Sequence, residues 1–193
     1  MGPLALESHG HYTYGDYKKW ADTERWELID GVPYNMTPAP SRRHQEISGE
    51  LYVQFASYLR DKPCRVYAAP FDVRLPEGDE ADDDISNVVQ PDIAVVCDRA
   101  KLDDAGCKGS PDLIVEILSP ATARKDMKEK FLLYEKRGVR EYWLVDPAGK
   151  TVQVFRQTDA GCFGRLEVYG EEERIKVGIF DDLEIELAAV FRE

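Results

Sequence analysis

Two stretches of the chain are hydrophobic almost without interruption: Val88-Val89-Gln90-Pro91-Asp92-Ile93-Ala94-Val95-Val96 and Leu113-Ile114-Val115-Glu116-Ile117-Leu118. β-Branched runs that do not alternate with polar residues read as central strands covered on both faces. A similar run, Tyr142-Trp143-Leu144-Val145, closes at Asp146-Pro147, and a further strand region is expected at about 64–75. Between these runs the period changes. From Ser41 to about Arg60, the residues His44, Ile47, Leu51, Phe55 and Tyr58 fall on one stripe of a helical wheel, with Ser41 as N-cap and Glu50 beside the stripe. Ser119-Pro120 breaks the strand before it, and a helix is predicted from there to about Arg137, ended by Gly138. Its expected apolar stripe is Met127, Phe131 and Tyr134, with Asp126, Lys130 and Tyr134 forming a second i, i+4, i+8 line.

Outside this centre the elements are short. Tyr14, Tyr17 and Trp20 predict a small helix within 12–21, and residues 26–36 a hairpin turning at Asp30-Gly31. Antiparallel strands are expected at 151–156, 166–169, 174–177 and 183–187. The strand–helix–strand order from 111 to 146 implies a right-handed crossover joining two parallel strands, and the short loops before it imply antiparallel neighbours. The fold class is therefore α/β of the mixed α+β kind, a mixed sheet flanked by helices with added N- and C-terminal antiparallel strands. No repeat or linker divides the 193 residues, so a single domain is expected, with its core at about 38–147.

Composition changes this picture little. With 43% hydrophobic and 32% charged residues the chain reads as an ordinary soluble protein, and neither a membrane span nor a secretory leader is evident; Met1 to Ser8 lacks a basic region. A cytoplasmic location follows from that reading. Cys64, Cys97, Cys107 and Cys162 are widely spaced and are expected as reduced thiols. The net charge of −12 argues against a broad cationic surface, although much of the acid is concentrated between Glu77 and Asp84, expected to be a solvated loop.

The chemistry lies in the strand acids. Burying a carboxylate in an apolar strand is costly without a partner, a metal or a shifted pKa, which singles out Asp92 and Glu116. If their strands are neighbours, the two carboxylates converge, and with a backbone carbonyl such as that of Ile117 they suit magnesium or manganese. Lys130 is then the natural cation to orient a water or neutralise developing charge. Plainer readings stand beside these. Asp92 could cap a backbone amide, Glu116 could form a structural ion pair, Asp126 could make a capping box with Glu129, and Lys130 could be an exposed partner of Asp126. His44 could be a core or capping histidine, Tyr134 simple packing, and Asp112 a turn residue.

In combination, Glu27-Leu28-Ile29-Asp30-Gly31, Gly49-Glu50-Leu51, Pro91-Asp92, Val115-Glu116-Ile117-Leu118, Ser119-Pro120-Ala121-Thr122, Asp126 through Lys130 with Tyr134, and 138–147 resemble the Uma-type family of proposed restriction endonucleases. That family belongs to the PD-(D/E)XK nuclease superfamily. The resemblance implies a restriction-endonuclease-like core acting as a magnesium- or manganese-dependent endonuclease on nucleic acid, with DNA as the expected substrate and a homodimer as the expected assembly. It implies Asp92 and Glu116 as metal ligands and Glu50 as a supporting acid. The superfamily pattern places a lysine where this chain has Leu118, which directs attention to Lys130 on the following helix, with Arg124, Lys125 and Lys128 as rival cations. Arg42, Arg43, His44, Arg124, Lys125 and Lys128 are the expected nucleic-acid contacts. The competing expectation is a nuclease-like metal-binding or interaction module without turnover.

Overall fold

A computed structural model describes residues 10–20, 25–36 and 39–192; the Met1 to Ser8 reading lies outside them. In chain order the elements are α1 (Tyr14–Tyr17), β1 (Trp26–Ile29), β2 (Val32–Asn35), α2 (Arg42–Leu59), β3 (Arg65–Ala68), β4 (Val73–Arg74), β5 (Val88–Val89), β6 (Ile93–Val96), β7 (Leu102–Asp103), β8 (Gly106–Lys108) and β9 (Leu113–Ile117). A continuous helical segment follows, made of α3 (Ala123–Lys125), a π-helical turn (Asp126–Lys130) and α4 (Phe131–Lys136). The chain then forms β10 (Glu141–Asp146), β11 (Thr151–Arg156), β12 (Glu167–Gly170), β13 (Arg174–Lys176), β14 (Glu184–Glu186) and α5 (Leu187–Val190).

Two mixed sheets result. Both are six-stranded: the one with the longer strands, the larger sheet, runs β12-β11-β10-β9-β6-β3, the second runs β2-β1-β5-β4-β8-β7, and β13 pairs with β14 separately. As the crossover rule requires, β9 and β10 are parallel, while β6 is antiparallel to both β3 and β9. Ser41 caps α2 by accepting the His44 N–H, and Ile47, Leu51 and Phe55 are fully buried against one face of the larger sheet, over Ile93, Val95, Leu113, Val115 and Trp143. The other face carries Ala94, Ile114, Tyr142 and Leu144, and meets Leu133, Tyr134 and the second sheet's Val73 and Val89. Both strands of the centre are thus sandwiched, which is why neither alternates in hydrophobicity. The hairpin turns where expected, with Asp30 and Gly31 both at positive φ (48° and 72°) as a primed turn requires. The aromatic N-terminal segment forms a small core layer, Tyr14 packing with Leu28, Ile85 and Val88.

Several expectations need correction. The run 88–97 is two strands, because Pro91 has no N–H to continue a ladder and the Gln90 N–H is taken by the Glu27 carboxylate; β5 joins one sheet and β6 the other. Asp92 therefore sits at the seam between sheets, ahead of β6, and not in mid-strand. The run 64–75 divides similarly into β3 and β4 around Ala69-Pro70. In the helical segment Phe131 and Tyr134 pack in the apolar cluster as expected, but Met127 is half exposed, and Asp126 and Lys130 are buried instead. Asp126 lies inside the helix, so it caps nothing. Tyr134 is likewise fully buried.

Cys64 and Cys97 are joined in a disulfide, contrary to the expectation of free thiols. Antiparallel register is the reason: Arg65 pairs with Val96, so the next residues outward face each other. The acidic run is also tied down. Arg74, fully buried, grips Asp82 through Nη1 at 2.9 Å from both carboxylate oxygens, and Glu77 engages Lys136 and Arg137.

Candidate functional site

The register of β6 on β9, with Ile93 opposite Val115, brings Asp92 opposite Glu116 one step further along. There the backbone ladder stops, and the side chain of Asp92 replaces it: Ile117 N–H donates to Asp92 Oδ2 at 2.7 Å. The same oxygen pairs with His44 Nε2 at 3.2 Å, from the first turn of α2. Asp92 does cap a backbone amide, and it does so while facing a histidine. Burial by itself would lower the pKa of His44, but the hydrogen bond and charge of Asp92 outweigh it and raise the ring above its usual value. Among the described residues, buried His44 Nδ1 has no hydrogen-bond partner.

Glu116 is 4% exposed and is met from the helical segment. Lys130 Nζ donates to Glu116 Oε1 at 2.8 Å, and the Tyr134 hydroxyl donates to the same oxygen at 2.7 Å. Lys130 also lies 2.7 Å from Glu27 Oε1 and 3.6 Å from Asp126 Oδ1. The π-helical turn alters the winding at Asp126–Lys130, a distortion that recurs at functional sites. Position 118, two residues after Glu116, holds a leucine packed in the apolar cluster, so the ammonium beside Glu116 comes from the helix and not from the strand.

Glu27 was missed as a site residue. It is fully buried on β1, accepts the Gln90 N–H at 3.0 Å, and pairs through Oε2 with Lys125 Nζ at 2.6 Å. The signal that marks Glu116, an acid inside the strand run Trp26-Glu27-Leu28-Ile29, was present here too. Glu141 shows that the signal is not specific: that buried acid is satisfied by the indole of Trp143 and by the N–H groups of Gly178 and Ile179.

The acids divide electrostatically. Burial works to raise both Glu27 and Glu116. At Glu27 the two lysines outweigh burial and hold the carboxyl below its usual range. At Glu116 burial wins over Lys130, reinforced by Asp126, Asp92 and Glu27, and the carboxyl is pushed up to about 8. Burial likewise raises Asp126, against Lys130.

The remaining expected residues separate. Glu50 faces elsewhere, accepting from Gln54, whose amide also reaches the Glu186 carbonyl. Arg42 is engaged with Glu46 on the exposed surface. Arg43 donates to the carbonyls of Phe191 and Arg192. Lys125 is committed to Glu27, and Arg124 and Lys128 are exposed on the helical segment. A groove of about 200 Å³ opens beside Asp92 and His44 along α2.

The architecture of mixed sheets flanked by helices is that of a nuclease-like fold. It matches the crystal structure of a putative nuclease belonging to DUF820 from Anabaena variabilis ATCC 29413, with a TM-score of 0.73 at 23% identity over 93% of this chain and 97% of the other. The Uma2 family model, described as "Putative restriction endonuclease", matches residues 14–188, and the chain belongs to that family. An uncharacterized protein of Synechocystis, slr1290, is 27% identical over 149 residues, covering 76% of this chain and 74% of its own.

Proposed function

We propose that the protein is a metal-dependent endonuclease that hydrolyses phosphodiester bonds, with DNA as substrate. The observation carrying this reading is the placement of Glu116 beside Lys130 and opposite the seam residue Asp92, which lines a groove. Family membership supports it.

The chemistry of the donor set fits a divalent ion. Four carboxyl groups (Glu27, Asp92, Glu116 and Asp126) gather here against two ammonium groups, Lys125 and Lys130. Burial is the main cause of the raised Glu116 pKa, and the neighbouring acids Asp126, Asp92 and Glu27 add to it against Lys130. Among the described residues no three His, Cys, Asp or Glu side chains form a metal-holding group. Magnesium does not require one, since it is commonly held by one or two carboxylates and several waters. Asp92 and Glu116, with the Ile117 carbonyl, would hold the ion, which when bound supplies Lewis acidity and a more acidic water.

The protein's own groups do the rest. The hydrogen bonds described here occupy Asp92 Oδ2 and Glu116 Oε1, leaving the second oxygen of each carboxylate for a ligand. Lys130 and Tyr134 fix the Glu116 side chain, and the Glu27 carboxylate in turn fixes Lys130. His44, held at Nε2 by Asp92, is placed to hold or release a proton at the groove. Arg124 and Lys128 supply exposed charge for phosphates.

Cleavage of plasmid and oligonucleotide DNA with magnesium or manganese tests the reading. Activity should require the metal and vanish in Asp92→Ala and Glu116→Ala. Activity that survives chelator, or binding of either metal that is unchanged in Glu116→Ala, would refute it.

A further inference from the structure

We propose that the groove along α2 binds one unpaired nucleic-acid strand, its backbone passing over Gly49, with a base stacked on Tyr52 and a phosphate held by Arg25. The proposal rests on the phosphodiesterase reading, and it names the form of substrate that the site accepts.

The first argument is Gly49. It stands in the middle of the 18-residue helix α2, where glycine is disfavoured because it has the most backbone freedom to lose. Among the described residues, a β-carbon built there would meet no atom within 4 Å outside the helix's own neighbourhood, and its backbone is ordinary helix. The space that the missing side chain leaves is therefore not filled by the described residues, and it lies in the wall of the groove beside Asp92. A glycine costly to the helix and unnecessary to packing marks a close approach by something else.

The second argument is what surrounds that space. Tyr52, three residues on from Gly49 and on the same face of α2, is 37% exposed in the groove lining, an aromatic surface on which a base can stack. Ala68 and Ala69 form a low opposite wall. Arg25 also lines the groove, and its Nε donates to Gln90 Oε1 at 2.9 Å. Gln90 is itself fixed, its amide donating to Asp72 at 2.7 Å and its backbone N–H to Glu27. The Arg25 guanidinium is thus positioned relative to the Glu27–Lys130–Glu116 cluster, as a phosphate clamp must be.

Size selects the occupant. About 200 Å³ lies below the roughly 300–1,000 Å³ of pockets for drug-sized ligands. It has room for part of one nucleotide, a base or a sugar–phosphate segment, whereas a duplex would have to stand outside it. A cationic contact combined with an aromatic platform is the general pattern for single strands.

Binding of a short fluorescent single-stranded oligonucleotide and of its duplex, at low salt and in chelator, tests the proposal without turnover. The wild type should prefer the single strand. Gly49→Leu fills the open space with a better helix former, so its Tm should be unchanged or raised while single-strand affinity falls on the order of tenfold. Tyr52→Ala should weaken binding similarly, with its Tm as the control on folding. Equal affinity for duplex and single strand, or undiminished binding by a folded Gly49→Leu protein, would overturn the proposal. Glu116→Gln separates the two readings, since it should abolish cleavage and leave strand affinity intact. A groove that binds as described in a wild type that cuts nothing with metal would reject the nuclease reading alone.

Discussion

Lys130 Nζ lies 2.7 Å from Glu27 Oε1, and this contact joins the N-terminal hairpin to the helical segment that follows the Glu116 strand. Both groups are essentially without solvent exposure. An ion pair so placed is held to its partners by the cost of leaving any of them alone, because an uncompensated charge in the interior is far more expensive than a broken surface pair. Lys130 compensates three acids at once.

Lys130→Met should therefore lower the unfolding free energy by about 3–5 kcal/mol, read by urea denaturation. Adding Glu27→Gln should recover part of that loss, since one of the stranded charges is removed. A double variant no more stable than the single would show that Lys130 acts by packing instead.

Stability should depend on pH through Glu116. Burial, acting against Lys130 and with the neighbouring acids, raises this carboxyl from 4.5 to about 8. The folded protein thus binds the proton more tightly than the unfolded chain does. The associated stabilisation is complete below about pH 4.5 and is lost as the pH rises through about 8. Glu116→Gln resembles the protonated acid, so it should match the wild type near pH 4.5 and exceed it at pH 8. A difference that stays constant between the two pH values would contradict the assignment.

Asp92 should control the titration of His44. The folded-state pKa of His44 lies above its usual 6.5 because the bond and charge of Asp92 outweigh burial. Stabilisation from this pair is present below about pH 6.5 and declines as pH rises through the raised value. In Asp92→Asn the opposing effect of burial remains, and the NMR titration of the His44 ring should move to lower pH. No movement would mean that the pair is not formed in solution.

The basic residues should not behave alike towards nucleic acid. Arg43 is spent on two backbone carbonyls, so Arg43→Ala should lose some stability and keep its DNA affinity. Lys128→Ala and Arg124→Ala should each weaken binding and reduce the slope of log affinity against log salt by about 1. Salt-independent binding by the wild type would refute phosphate contacts altogether.

Much of this molecule is written locally. The capped helix from Ser41, the primed turn at Asp30-Gly31, the parallel pair around Glu116 and the termination at Gly138 all follow from period, turn chemistry and handedness, which act over a few residues. Asp92, Glu116 and Lys130 stood out because a charge is conspicuous in an apolar run or on a helical line beside one. Other decisions needed the assembled fold. Pro91 signals a break, yet only the competing claim of Glu27 on the Gln90 N–H sends the two halves of 88–97 into different sheets. Hydrophobicity favoured Met127 as the buried face of its helix, but two carboxyls across the interface, Glu27 and Glu116, turned Lys130 inward, with Asp126 beside it on the same helix. Glu27 and Lys130 lie far apart along the chain, as do Cys64 and Cys97, and each pair meets because strand register and sheet packing bring them together. Local pattern records what a residue prefers, whereas its partner is set by the three-dimensional path of the chain between them.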